Sequence, residues 1–122
     1  MRLDNNIMNE SREWRRVGVD IAAQGEVLAG SGKIFASQVV NITPDGMCFL
    51  SPEGLQPDQV VRLVMELPEI GRLEVCLKVV WAGYFEQYKG YRAGGKFEAL
   101  PEREKEKYLR FYHLKVISLL EG

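Results

Sequence analysis

From Arg16 onward the chain alternates. Val17, Val19, Ile21 and Ala23 fall on one side of an extended backbone and Asp20 and Gln24 on the other, the period-2 pattern of a half-buried strand. Gly25, Gly30 and Gly32 are expected to break it. A second run, 33–42, is rich in β-branched and aromatic residues. It stops at Thr43-Pro44-Asp45-Gly46, a turn because Pro fixes φ and Gly accepts a positive one. Residues 47–50 resume the sheet. Val61, Leu63, Met65 and Leu67 then share one face, and after a turn at 68–71 so do Leu73, Val75, Leu77, Val79 and Trp81, which predicts a long strand pair. A last strand is expected over 88–97, where Gly90, Gly94 and Gly95 point to a bulge or to a close approach by another group.

Past Pro101 the period changes from two to between three and four. Pro at a first helical position, Glu102 and Glu104 in the first turn, and Tyr108, Phe111, Tyr112, Val116 and Leu119 at helical spacing predict one amphipathic helix at about 101–119. The charges of 102–107 are expected on its solvated face, with Glu106 and Arg110 as an i,i+4 pair. About six short strands followed by one helix make an α+β, mainly β fold. The expected architecture is a six-stranded antiparallel β-barrel with a C-terminal α-helix, since closure removes the open edges of an antiparallel sheet.

Composition narrows the function. A chain of 122 residues with 46% hydrophobic and 27% charged residues is the size and balance of one globular domain. The polar segment 1–11 reads as a flexible N-terminal tail and 12–122 as the domain. Sixteen Lys and Arg against 17 Asp and Glu give a net charge of −1, which argues against a general nucleic-acid or membrane-surface binder. Any anionic ligand must be met locally. Neither a signal peptide nor a membrane-spanning run is present, so the expected location is cytoplasmic without membrane insertion.

Catalytic and metal chemistry find little support. Cys48 and Cys76 lie in strands without Cys-x-x-Cys spacing, as buried free thiols would, and the single His113 falls in the helix. No zinc site or histidine-based triad can be assembled. The segment from Gly90 to Lys96 has the spacing of a phosphate-binding loop, but Phe97 stands where Ser or Thr should bind Mg²⁺ and no helix follows. An enzyme is not expected.

Two clusters remain: Arg12-Glu13-Trp14-Arg15-Arg16 before the first strand, and Asn41-Ile42-Thr43-Pro44-Asp45-Gly46 closing the second. In order, these resemble the PilZ family pattern Arg-x-x-x-Arg followed by Asp/Asn-x-Ser-x-x-Gly. Arg12 and Arg16 match the first motif and Asn41 and Gly46 the second, with Thr43 in place of the usual Ser. Val79-Val80-Trp81, Gly94-x-x-Phe97 and the acidic start of the helix extend the resemblance over most of the chain.

The resemblance implies a receptor for cyclic di-GMP, with that ligand and no other cofactor. Arg12 and Arg16 would grip phosphates or guanine edges through the planar guanidinium, with Arg15 as an auxiliary. Asn41 would hydrogen-bond guanine less strongly than a charged Asp, and Thr43 would supply the hydroxyl. Gly46 would take a backbone conformation closed to residues with a Cβ, and Gly94 would leave room beneath the ligand. The N-terminal segment would fold over the ligand and signal to a downstream protein partner. Two alternatives stand beside this reading. One is a PilZ-like adaptor that binds protein and no nucleotide; the other, disfavoured by charge, is a barrel that stacks single-stranded nucleic acid on Trp14, Tyr84, Phe85, Tyr88 and Tyr91.

Overall fold

The computed structural model describes residues 16–29 and 32–121; the expected tail at 1–11, and Gly30, lie outside them. The strands are β1 (Val17–Val27), β2 (Ile34–Thr43), β3 (Gly46–Ser51), β4 (Val60–Leu67), β5 (Gly71–Phe85) and β6 (Gly90–Phe97). A 3-10 turn, Glu86–Tyr88, joins β5 to β6, and one helix, α1 (Glu102–Glu121), follows. All pairings are antiparallel, in the order β1-β2-β3-β6-β5-β4 with β4 returning to β1, so the sheet closes on itself. It consists of two local meanders, β1-β2-β3 and β4-β5-β6, joined along two seams, β3–β6 and β1–β4. The β1–β4 seam is short, running only from Ala23–Met65 to Val27–Val61.

Alternation sets the core. Val61, Leu63, Met65 and Leu67 of β4 and Leu73, Val75, Leu77 and Val79 of β5 point inward and are buried, together with Val39, Ile42, Met47 and Phe49 from the other meander. Full burial of such side chains stabilises by about 1.5–3 kcal/mol each relative to exposure. Helix α1 packs against β5 and β1 and buries Tyr108, Phe111 and Tyr112.

Several sequence expectations need correction. Gly25 does not break β1; it pairs with Phe35 inside the strand, and the Phe35 ring occupies the space where a Cβ would stand, 2.5 Å from its nearest atom. Trp81 does not share the inward face of Val79. An extra residue in β5 shifts the register between Val79–Gly95 and Trp81–Gly94, and this bulge turns the indole outward to 41% exposure. On α1 the buried stripe stops early, leaving Leu114, Ile117, Leu119 and Leu120 exposed. The helix runs over 102–121 instead of 101–119, and its charges are not all solvated: Glu104 accepts a hydrogen bond from the Glu74 N–H at 2.8 Å, and Lys107 donates to the Arg72 carbonyl at 2.9 Å. Among the described residues Glu104 pairs with Lys107 at 2.9 Å, and no Glu106–Arg110 pair forms.

Candidate functional site

One cavity of about 500 Å³ opens beside the β3–β6 seam. Its size is that of a small-molecule site. Arg16 borders it at the start of β1, Asn41 and Thr43 at the end of β2, and Asp45 and Gly46 at the turn. Met47 and Cys48 of β3 face Gly95 and Gly94 of β6 in register, and Lys96 pairs with Gly46. Val80 and Trp81 complete the wall from the bulge in β5.

The bulges shape this wall. In β2 the register moves from Val39–Phe49 to Asn41–Cys48, so Val39, Asn41 and Ile42 are all buried despite the pleat. Asn41 is thereby 8% exposed yet borders the cavity, where a hydrogen bond to its amide would be made in a low dielectric. In β6, two adjacent glycines leave a floor without side chains. A Cβ on Gly94 would stand 2.3 Å from Trp81 Nε1, so the room expected at Gly94 is filled by the indole edge. The indole carries the Arg92 guanidinium 6.0 Å from its ring centroid, and that guanidinium also lies 5.6 Å from the Phe85 ring.

Gly46 needs its missing side chain for a different reason from the expected one. It is not in a positive-φ conformation; the described glycines that are include only Gly32 and Gly71. A Cβ at Gly46 would instead meet the Gly95 carbonyl oxygen at 2.1 Å, so the requirement is the close approach of two backbones.

The turn is tied from within and from below. Thr43 Oγ1 donates to Asp45 Oδ1 at 2.8 Å and accepts from the Asp45 N–H at 3.3 Å, which restrains the Asp45 carboxylate. Beneath it the fully buried Tyr108 hydroxyl reaches the carbonyls of Thr43 and, at 3.0 Å, Gly46. Burial first, then nearby Tyr112 and Asp45, push the Tyr108 phenol far above its usual pKa, so it remains a neutral donor. Arg16 and Lys96 form no ion pair among the described residues. A cavity lined by two cations, a half-exposed indole and a buried amide, with Asp45 at its edge, suits an anionic, aromatic ligand.

Five of the seven expected site residues, Arg16, Asn41, Thr43, Gly46 and Gly94, thus meet at one cavity. Arg12 and Arg15 lie outside the described residues. Lys96, Trp81 and Tyr108 were not singled out as site residues, nor was Cys48, which with Cys76 is half-buried instead of fully buried. Among the described residues no group of three or more His, Cys, Asp and Glu side chains could hold a metal ion, and no helix is long and apolar enough to cross a membrane.

The PilZ domain model matches residues 10–113, which include both arginine and asparagine–glycine motifs. The chain belongs to the PilZ domain family. No curated protein matches it. Among solved structures, this PilZ domain superposes on the Bacillus subtilis inhibitor of motility MotI/DgrA with a TM-score of 0.69 at 15% identity, covering 84% of this chain and 50% of that one. It matches the PilZ domain of Escherichia coli YcgR, a structure with c-di-GMP, with a TM-score of 0.66 at 12% identity, covering 87% and 92%. The K. pneumonia MrkH–c-di-GMP complex gives 0.69 at 15% identity, covering 87% and 52%. At such identities the likeness is one of fold. The chain spans about half the length of MotI/DgrA and of MrkH.

Proposed function

We propose that this PilZ domain is a cyclic di-GMP receptor without catalytic activity, binding its ligand in the cavity beside the β3–β6 seam. The observation that carries the reading is the convergence of Arg16, Asn41, Thr43, Gly46 and Gly94 on one cavity that also holds Lys96 and Trp81. The family match and the c-di-GMP in the YcgR and MrkH structures support it.

Cyclic di-GMP presents two phosphates and two guanines. Arg16 suits a bidentate contact to a phosphate or to guanine O6 and N7, and Lys96 a point-charge contact to a phosphate. Trp81 offers an indole face for a purine, and Asn41 an amide for the base edge. Arg12 and Arg15 would add further cationic contacts as the segment before β1 orders over the ligand, and a protein partner would read that change.

A second reading has one observation in its favour. The exposed row Leu114, Ile117, Leu119 and Leu120 on α1 is what an adaptor acting through protein contact alone would present. Calorimetric titration separates the two. Wild-type protein should bind cyclic di-GMP, GTP and single-stranded DNA should give no comparable heat, and Arg16→Ala should weaken binding about ten- to a hundredfold. Absence of heat from cyclic di-GMP would leave the adaptor reading standing; superimposable wild-type and Arg16→Ala curves would remove Arg16 from the site.

A further inference from the structure

The turn bearing Thr43 and Gly46 has a shape that two-residue hairpin loops avoid. The pair Thr43–Gly46 closes a loop consisting of Pro44 and Asp45. Pro44 holds φ near about −65°, and Asp45 is not among the residues of positive φ. The mirror-image turns whose twist matches a hairpin are therefore out of reach, and an ordinary turn splays the flanking strands. The carbonyls of this turn accept from donors elsewhere in the chain.

Donors come from two distant segments. The Phe97 N–H donates to the Asp45 carbonyl at 3.0 Å. The Tyr108 hydroxyl spans the base of the loop between the Thr43 and Gly46 carbonyls, 65 and 62 residues away in sequence. Tyr108 does not line the cavity. Its ring is fully buried and set edge-on to Phe97 with centroids 4.8 Å apart, so the position of the hydroxyl is fixed by the packing of α1.

We infer that Tyr108 is a positioning residue: its hydroxyl, delivered by α1, fixes the Thr43–Gly46 turn in the form that the ligand meets. The ligand part of this inference rests on the receptor reading above. A ligand that favours the latched turn strengthens the contact of the Tyr108 hydroxyl with it, and removing that contact weakens the ligand to the same degree, as reciprocity of coupling requires.

The test is Tyr108→Phe in the full chain, which removes one oxygen and keeps the ring against Phe97. Phe111→Leu, which trims buried packing of the same helix and keeps the Tyr108 hydroxyl, is the control. Tyr108→Phe should lower cyclic di-GMP affinity about five- to tenfold in calorimetry. It should also speed amide hydrogen exchange at Asp45 and Gly46 in the ligand-free protein. Phe111→Leu should lower the melting temperature with affinity and turn exchange unchanged. Equal affinity of Tyr108→Phe and wild type overturns the inference, as does an affinity loss in Phe111→Leu as large as that in Tyr108→Phe. If wild-type protein fails to bind cyclic di-GMP, the receptor reading fails by itself, and the exchange measurement still decides the latch: unchanged exchange at Asp45 and Gly46 overturns it.

Discussion

The β4–β5 hairpin and the cavity wall are built from the same kind of strand, yet they follow different rules. From Val60–Lys78 to Leu67–Gly71 the hairpin keeps an unbroken register, and burial alternates from Val61 to Leu67 and from Leu73 to Leu77. Around the cavity the register slips in β1, β2 and β5, two glycines stand side by side in β6, and a tryptophan emerges where the pleat would have hidden it. Regular pairing maximises buried area and leaves nothing to bind with. The irregular wall gives up that regularity and gains cations, an amide and an indole facing one space. Functional sites are where a fold departs from its own local rules.

That contrast can be broken experimentally. Leu77→Ala, in the regular part and fully buried, should cost about 2–5 kcal/mol of stability, while a protein that still folds should bind cyclic di-GMP as before; chemical denaturation and calorimetry read both. Gly46→Ala should cost about 1–3 kcal/mol, because the new Cβ forces apart two backbones at the seam. Unlike Leu77→Ala it should lower affinity too. Trp81→Ala should reverse the balance, costing less stability than Leu77→Ala at this partly exposed position and weakening binding by about 1–3 kcal/mol through lost base stacking.

The smallest expected effect concerns pH. Desolvation alone would raise the Glu104 pKa, but the hydrogen bond from the Glu74 N–H, together with Lys107 and Arg103, outweighs it and holds the carboxyl below its usual value. This contribution is present above the unfolded carboxylate pKa of about 4.3 and disappears as pH falls through the lower folded value. Glu104→Gln should therefore flatten the acid side of a melting-temperature profile and leave ligand binding at neutral pH unchanged.

How legible each region was in the sequence follows the same division. The β4–β5 hairpin is readable from alternation alone, and α1 from its spacing and its proline-led, acidic start. Alternation through Val80 points Trp81 inward, and the bulge that turns it out leaves no mark in the order of apolar residues. Gly25 reads as a breaker in sequence because the Phe35 ring that covers it comes from the next strand. Arg16, Asn41, Thr43, Gly46 and Gly94 could be singled out only by resemblance to a family pattern, since each alone is an ordinary surface or turn residue. Lys96 reaches the cavity through its register with Gly46, and Tyr108 reaches the turn beneath it through the packing of a helix more than sixty residues away. Both depend on long-range geometry that no local window contains.

The division of the sheet into two meanders has a further consequence. Each meander joins neighbours in sequence, whereas the β3–β6 seam unites residues 46–51 with 91–96 and must wait for the halves to meet. Neither half alone possesses the cavity. A molecule bound there acts as a clasp across the joint, recognising only the assembled protein, and at a hundredfold excess over its dissociation constant it would add about 2.7 kcal/mol to the resistance of the chain to unfolding.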